Sequence, residues 1–444
     1  MVQEKKNYLL PIIVMIFLFG MISFVTNLAS PMGDVLKYQF DISNWMGTLG
    51  VLAVFIAYAV MGYPAGNLLQ QRGYKQTALI AVAVGFVGVC IQTLSGVVGG
   101  FGVYLLGSFI AGFSMCLLNT VVNPMLRKLA MEQTEGNESR KDNKANQLIQ
   151  LGGSFNSLCG TAVIIMTGMI IPQITKAQIS DVFPLMFAAL AIFAFAFLVI
   201  ALTAIPENEK RQQIVSEKSQ YSPLSFQHFI LGALGIFVYV GVEVGTPNIL
   251  NKWLQNPDLD ILQLSGVGAE AIAASVAATY WFLMLIGRLV GAAIGGKVSA
   301  KAMLSVAASV AMVLTIGAIL APTSVMVTLP VFKSGGAEGL FGLANVPIGA
   351  ALLVCIGLCT SVMWGGIFNL AVAGLGKYME KASGIFMVMV CGGGIIPLLQ
   401  NWIVDLTGGT GYLVSYWVVA IGFAYLLYYA LVGCKNVNKN IKVD

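Results

Sequence analysis

Long uncharged apolar stretches cover nearly the whole chain. Four of them, at 9–32, 45–69, 77–104 and 182–205, exceed the about 20 apolar residues that a helix needs to cross a hydrocarbon layer about 30 Å thick. Only 10% of the 444 residues are charged and 58% are hydrophobic, which lies outside the range of soluble proteins. A membrane β-barrel would show alternating segments of about ten residues instead. The sequence therefore predicts an all-α protein that crosses the membrane many times.

The apolar stretches predict about twelve spans, which a polar segment at 206–226 divides into two groups of six. Equal halves joined by such a linker are typical of a duplicated transporter. We predict an N-terminal six-helix bundle at 1–205, a cytoplasmic linker at 206–226 and a pseudo-symmetric C-terminal six-helix bundle at 227–444. The predicted spans lie near 8–31, 45–69, 77–98, 101–125, 149–173, 182–205, 227–250, 270–295, 301–321, 347–374, 382–403 and 410–433.

Basic residues are concentrated in alternate connections between the predicted spans. Of the 24 lysines and arginines, 19 lie in connections that share one side of the membrane with both ends of the chain. Since basic loops stay in the cytoplasm, we predict that both termini are cytoplasmic and that the protein lies in the bacterial inner membrane. The net charge of +5 then reflects membrane topology, and we expect a lipid bilayer rather than a nucleic acid as the partner.

The residue usage argues against metal chemistry, enzymes and channels. The seven cysteines form no CxxC pattern and His228 is the single histidine, so no zinc site or disulfide framework is indicated. No span carries paired aspartates, an HExxH motif or a serine with a histidine, as an intramembrane enzyme would need. A channel would need rings of like groups or a filter loop. We expect no cofactor, apart from a transported H⁺ or Na⁺.

Two charged residues fall clearly inside predicted spans, where a charge costs at least about 2.5–3.5 kcal/mol. Glu243 lies just beyond the middle of the seventh span, between glycines. Its carboxylate could couple transport to an ion, accept hydrogen bonds from sugar hydroxyls, or make one structural hydrogen bond. Arg288 lies toward the cytoplasmic end of the eighth span, and the favoured interpretation is a structural anchor to helix C-terminal carbonyls or a loop acid.

Neutral polar and aromatic residues form the remaining candidate site. Amides offer both donors and acceptors, which suits a polyhydroxyl ligand, and aromatic rings could stack on a sugar, although lipid contact or core packing is the commoner use of each ring. We expect these residues to line one central cavity. The candidates are Asn27, Asn119, Asn123, Gln150 and Asn156 from the first half and Tyr239, Trp364 and Asn369 from the second.

The run Gly392, Gly393 and Gly394 lies inside the eleventh predicted span, shortly before Pro397. Each glycine weakens a helix by about 1 kcal/mol relative to alanine. We therefore predict a bend or hinge there.

An ordered set of motifs across nearly the full chain resembles the fucose/glucose-galactose:cation symporter family of the major facilitator superfamily. The resemblance implies two six-helix bundles around a central sugar site, with alternating access and no need for an oligomer. The matching segments are Tyr63-Pro64-Ala65-Gly66 with Gly73-Tyr74-Lys75, Asn123-Pro124, Phe155-Asn156-Ser157, Tyr239-Val240-Gly241-Val242-Glu243, Gly287-Arg288 with Gly291, Ile367-Phe368 with Gly374-Leu375-Gly376, and 392–396.

The chain departs from that family's pattern at four positions. Asn27 and Asn119 stand where symporters of this type carry acids, Gly153 replaces the central glutamine of an NxxQxxN pattern, and Gln70 replaces a loop aspartate. Amides cannot titrate, so coupling through the first half is in question. Three options stay open: protons through Glu243, sodium bound by Glu243 and nearby amides, or uncoupled diffusion.

We predict a secondary transporter that imports a monosaccharide, such as a hexose, deoxyhexose or amino sugar. Glu243 is the candidate for ion coupling. The alternative is a transporter of another solute, by drug efflux or by uptake of a peptidoglycan fragment, which a wide and mainly apolar cavity would favour.

Overall fold

The fold is mostly helical. The computed structural model describes residues 8–40, 49–98, 100–134, 137–171, 177–207, 221–256, 258–263, 267–333, 341–407, 411–438 and 441. Most of the predicted cytoplasmic linker, from 208 to 220, lies outside the described residues.

The first half forms long apolar helices that pack on one another. The second of these contains two predicted spans, because Gly73 interrupts it with a φ of 77° that L side chains rarely adopt. Asn137 caps the fourth by accepting a hydrogen bond from the backbone N–H of Arg140 at 3.0 Å. The helices are α1 (Leu9–Gln39), α2 (Leu49–Val98), α3 (Phe101–Gln133), α4 (Glu138–Ile170) and α5 (Ile179–Leu202).

The second half repeats this arrangement with more interruptions. One span is bent by 40° between two short helices, and another is interrupted by the 3₁₀ turn Met389–Cys391. The helices are α6 (Gln227–Gln255), α7 (Val267–Ile294), α8 (Ala300–Leu320), α9 (Ile348–Thr360), α10 (Met363–Ala371), α11 (Met379–Val388), α12 (Gly392–Thr407) and α13 (Gly411–Tyr428).

The prediction of about twelve spans is confirmed. Among the described residues, nine helices are long and apolar enough to cross a membrane, or ten if the bent pair Ile348–Thr360 and Met363–Ala371 forms one span. Two further spans complete the set. One is the second span inside α2, and the other is α4, which is 33 residues long.

A β-hairpin interrupts the helical pattern between α8 and α9, where the sequence analysis predicted only a connection. Strand β1 (Met326–Phe332) pairs antiparallel with β2 (Phe341–Pro347). The ring of Phe332 stacks on that of Phe282 of α7 with centroids 5.0 Å apart, and its N–H donates to the Thr279 hydroxyl at 2.7 Å. The prediction of a purely helical chain did not include this element. Short apolar runs are common throughout so apolar a chain, and they do not distinguish a strand from a loop.

The two halves meet at one end of the molecule. We call this the basic end; it contains residues 70–76, 137–147, 295–300 and 375–381. There α2 and α11 approach so closely that a Cβ on Gly384 would meet the backbone of Gly66. The Ser383 hydroxyl donates to the Thr120 carbonyl, across the two halves, at 3.0 Å. The basic end is therefore closed.

Candidate functional site

A cavity of about 300 Å³ lies between the two halves. Both halves contribute polar groups to its wall, and aromatic and aliphatic side chains cover the remainder. A concave site with a few convergent polar groups among apolar ones is typical of small-molecule binding. The cavity is therefore the candidate substrate site.

Most of the residues singled out from the sequence line this cavity. The first half contributes Asn27, Asn119, Gln150 and Asn156, and the second contributes Glu243, Arg288 and Trp364. Asn123, Tyr239 and Asn369 do not line the cavity, so the structure does not bring them together with the other candidates, and their direct contact with a ligand stays a prediction.

Glu243 and Arg288 form an ion pair in the cavity wall. The guanidinium Nη2 donates to the Glu243 carboxylate at 3.2 Å, and each side chain is 12% exposed. The interpretation of Arg288 as an anchor to helix ends or a loop acid is therefore incorrect. Its partner is the one other charge predicted inside a span, and sequence spacing gave no sign of this because the two residues lie on different helices.

Arg288 also reaches from the second half into the first. Its Nη1 donates to the Ser157 hydroxyl at 2.7 Å, to the Gly153 carbonyl at 3.2 Å and to Asn156 Oδ1 at 3.4 Å. A Cβ on Gly153 would lie 3.7 Å from Arg288 Cδ. That distance is an ordinary van der Waals contact, so position 153 lies directly against the arginine side chain.

The amides of the first half are held by their nitrogens. Gln150 Nε2 donates to the Val362 carbonyl of the other half at 2.8 Å. Asn156 Nδ2 donates to the Phe19 carbonyl, also at 2.8 Å. Gln150 is only 3% exposed, so it both contributes to the wall of the cavity and joins the halves.

Asn123 and Tyr239 contact the cavity through Trp364. The indole Nε1 of Trp364 donates to Asn123 Oδ1 at 3.2 Å, and the ring of Tyr239 meets that of Trp364 edge to face at 6.3 Å. These two residues therefore orient an aromatic wall that a ligand would touch.

Asn369 belongs to a buried cluster at the basic end. Its Oδ1 accepts from Arg127 Nη1 at 2.8 Å, and Arg127 Nη2 pairs with Asp142 at 2.6 Å. Asn369 is 4% exposed and Arg127 is 3% exposed. Arg127 was not predicted to contact Asn369, because it directly follows an apolar stretch, where basic residues usually mark a membrane boundary. Its position four residues after Asn123 was the available signal.

The three glycines 392–394 lie where the 3₁₀ turn Met389–Cys391 leads into α12. A Cβ on Gly392 would meet the backbone of Phe237 in α6, and one on Gly393 would meet the Phe55 ring in the first half. The glycines thus permit close packing on both sides, and the predicted hinge motion stays a prediction.

Comparisons with known proteins agree with this geometry. The model of the Major Facilitator Superfamily matches residues 12–397. A glucose/galactose transporter of Brucella abortus biovar 1 (strain 9-941) is 27% identical over 441 residues, covering 98% of this chain and 96% of the relative. An L-fucose-proton symporter of Escherichia coli (strain K12) is 21% identical over 430 residues, covering 91% and 89%.

A solved structure shows the same fold. The crystal structure of FucP, a Major Facilitator Superfamily transporter in the outward conformation, superposes with a TM-score of 0.75 at 19% identity. The match covers 96% of this chain and 99% of that one. The resemblance inferred from the motifs is thereby confirmed.

Proposed function

Since this chain belongs to the Major Facilitator Superfamily, a family of transporters rather than enzymes, we propose that it imports a monosaccharide across the bacterial inner membrane by cation-coupled symport. Both termini then lie in the cytoplasm, and a single chain suffices because the cavity lies between its own two halves. The basic end is the cytoplasmic end, in accord with the preference of basic loops for that side.

One observation supports a sugar most directly: the cavity combines amide oxygens and hydroxyls with aromatic rings. The polar side chains Asn27, Asn119 and Gln150 share the wall with Trp281 and Trp364. Hydrogen-bonding amides match the hydroxyls of a sugar, and flat rings match its apolar face. The glucose/galactose and fucose transporters among the relatives add independent support.

Coupling is assigned to Glu243. It is the one acid that lines the cavity among the described residues, and the amides at 27 and 119 cannot carry a proton. A proton taken up by Glu243 would neutralise the carboxylate and weaken its ion pair with Arg288, which is also bonded to the other half. A sodium ion near Glu243 would compete with Arg288 in the same way.

The test is uptake of labelled monosaccharides into proteoliposomes under an imposed proton or sodium gradient. We expect one gradient to drive accumulation in the wild type. Glu243→Gln should abolish accumulation while leaving exchange of sugar across the membrane intact, because exchange needs the site but no net ion movement.

Glu132→Gln is the matched control, since Glu132 pairs with Lys128 outside the cavity. Accumulation that survives Glu243→Gln would remove Glu243 from coupling. Absence of uptake for every sugar under both gradients would contradict the sugar proposal and favour another solute.

A further inference from the structure

Hydrogen bonds to backbone carbonyls determine which side-chain atom of Asn27 and of Asn119 is the amide nitrogen and which is the oxygen. Asn27 Nδ2 donates to the Ser23 carbonyl at 2.8 Å and to the Ser23 hydroxyl at 3.0 Å. Asn119 Nδ2 donates to the Met115 carbonyl at 3.2 Å and to the Tyr58 hydroxyl at 2.7 Å. A backbone carbonyl can only accept, so in each residue the nitrogen must face the carbonyl.

The amide nitrogen of each residue therefore donates inside the protein. The oxygens Oδ1 of Asn27 and Asn119 receive no hydrogen bond from any described residue, and both side chains line the cavity. An amide presents both donors and acceptors in general, but in these two the nitrogen is engaged within the protein and the oxygen is left for a ligand. The polarity of this wall is thus fixed before any substrate arrives.

We propose that Asn27 and Asn119 determine specificity by accepting hydrogen bonds from the substrate. The substrate groups facing them are then hydroxyl or amino groups, which can donate, and not groups that can only accept. This rests on the proposed sugar transport and specifies its substrate class. A carboxylate, phosphate, carbonyl or ether oxygen opposite either amide would place two acceptors together, and the amide oxygen would lose its water without gaining a bond.

The same geometry explains how this wall differs from a wall of acids. A carboxylate at position 27 or 119 would also offer an acceptor oxygen, but with a charge and a proton that can be exchanged. The asparagines keep the acceptor and lose both. Recognition of the ligand at these positions is thereby separated from coupling, which is left to Glu243 of the second half.

The experiment uses the intact protein in proteoliposomes and the sugar that it transports best. Each hydroxyl of that sugar is replaced in turn by hydrogen and by fluorine, and inhibition of uptake of the labelled parent is measured. Fluorine fills nearly the same space as a hydroxyl but cannot donate. Where a hydroxyl faces Asn27 or Asn119, we expect both analogues to bind roughly 5- to 100-fold more weakly than the parent, because either leaves a buried acceptor without a partner.

In Asn27→Leu or Asn119→Leu the parent should lose affinity, and the fluoro analogue at the matching position should lose no more. Asn401→Leu is the matched control: its Nδ2 also donates to the carbonyl four residues earlier, Pro397, at 2.7 Å, but its oxygen faces Lys252 outside the cavity. It should leave the whole analogue series unchanged.

The binding of the deoxy and fluoro analogues to the wild type tests the proposal even if a leucine variant fails to fold. Fluoro analogues that bind like the parent at every position would overturn the proposal, since the site would then be donating to the ligand. The proposal would also be overturned if the analogues lost the same affinity relative to the parent sugar in both leucine variants as in the wild type. If no sugar inhibits or enters at all, the proposed function fails instead, which is a different result.

Discussion

Two arginines, Arg288 and Arg127, connect the halves of this protein, and they do so in opposite directions. Arg288 reaches from the second half to Ser157 in the first, within the cavity wall. Arg127 reaches from the first half to Asn369 in the second, at the basic end. The carboxylates paired with the two arginines differ as well: the Glu243 side chain is 12% exposed, whereas that of Asp142 is 45% exposed.

This difference separates two tasks. Arg288 and its carboxylate both line the cavity, so a solute bound there would compete for Arg288, which bonds to the first half. Arg127 does not line the cavity, and its carboxylate can return to water when the contact breaks. Arg288 can therefore respond to what the cavity contains, while Arg127 only holds the basic end closed.

The largest effect is expected from Arg288→Met. The methionine fills similar space but leaves the buried Glu243 carboxylate without its partner, and removal of one member of a buried pair costs about 3–5 kcal/mol. The midpoint of thermal unfolding in lipid nanodiscs should fall markedly. The double variant Arg288→Met with Glu243→Gln should recover most of the loss, because no unpaired charge is left.

The double variant is also the control for packing. If it unfolds as early as Arg288→Met alone, the loss comes from the bonds to Ser157 and Gly153 rather than from the carboxylate, and the ion pair matters less than its position suggests.

The sequence predicted the spans and several polar residues of the cavity wall, because a membrane makes each interior polar residue costly and hence conspicuous. It also identified Glu243 and Arg288 as the two charges inside spans. It could not pair them, since that pairing depends on how α6 and α7 pack. It placed Asn369 with the ligand because amide identity alone does not distinguish a cavity from the basic end, where Arg127 holds it.

A smaller effect is expected from Arg127→Met. Asp142 regains water, so the cost is confined to Asn369, which is left buried without its donor, at about 1–3 kcal/mol. That loss falls only on the state with the basic end closed. The basic end should therefore open more often, and spin labels at positions 141 and 297 should show a larger share of long distances in a variant whose native cysteines are replaced.

Lys128→Met is the matched control, since Lys128 lies on the same helix and pairs with Glu132 of that helix. It should leave the distances unchanged. Equal shifts in the two variants would mean that general loss of charge, and not the bond to Asn369, opens the basic end.

The smallest effect is expected from Ser157→Ala, which removes the shortest of the bonds that Arg288 makes to the first half, at 2.7 Å. Arg288 keeps the Gly153 carbonyl and Glu243 as partners, so the closed state should lose only about 1.5 kcal/mol, the lower limit for a bond to a charged group, which shifts the ratio of closed to open roughly 13-fold. The same pair of spin labels measures this shift.

Thr161→Val is the control, because the Thr161 hydroxyl also lies in the cavity wall but donates only to the Ser157 carbonyl of its own helix. A shift in Ser157→Ala alone would show that the cavity arginine helps to close the basic end, and equal behaviour of the two variants would leave that closure to Arg127.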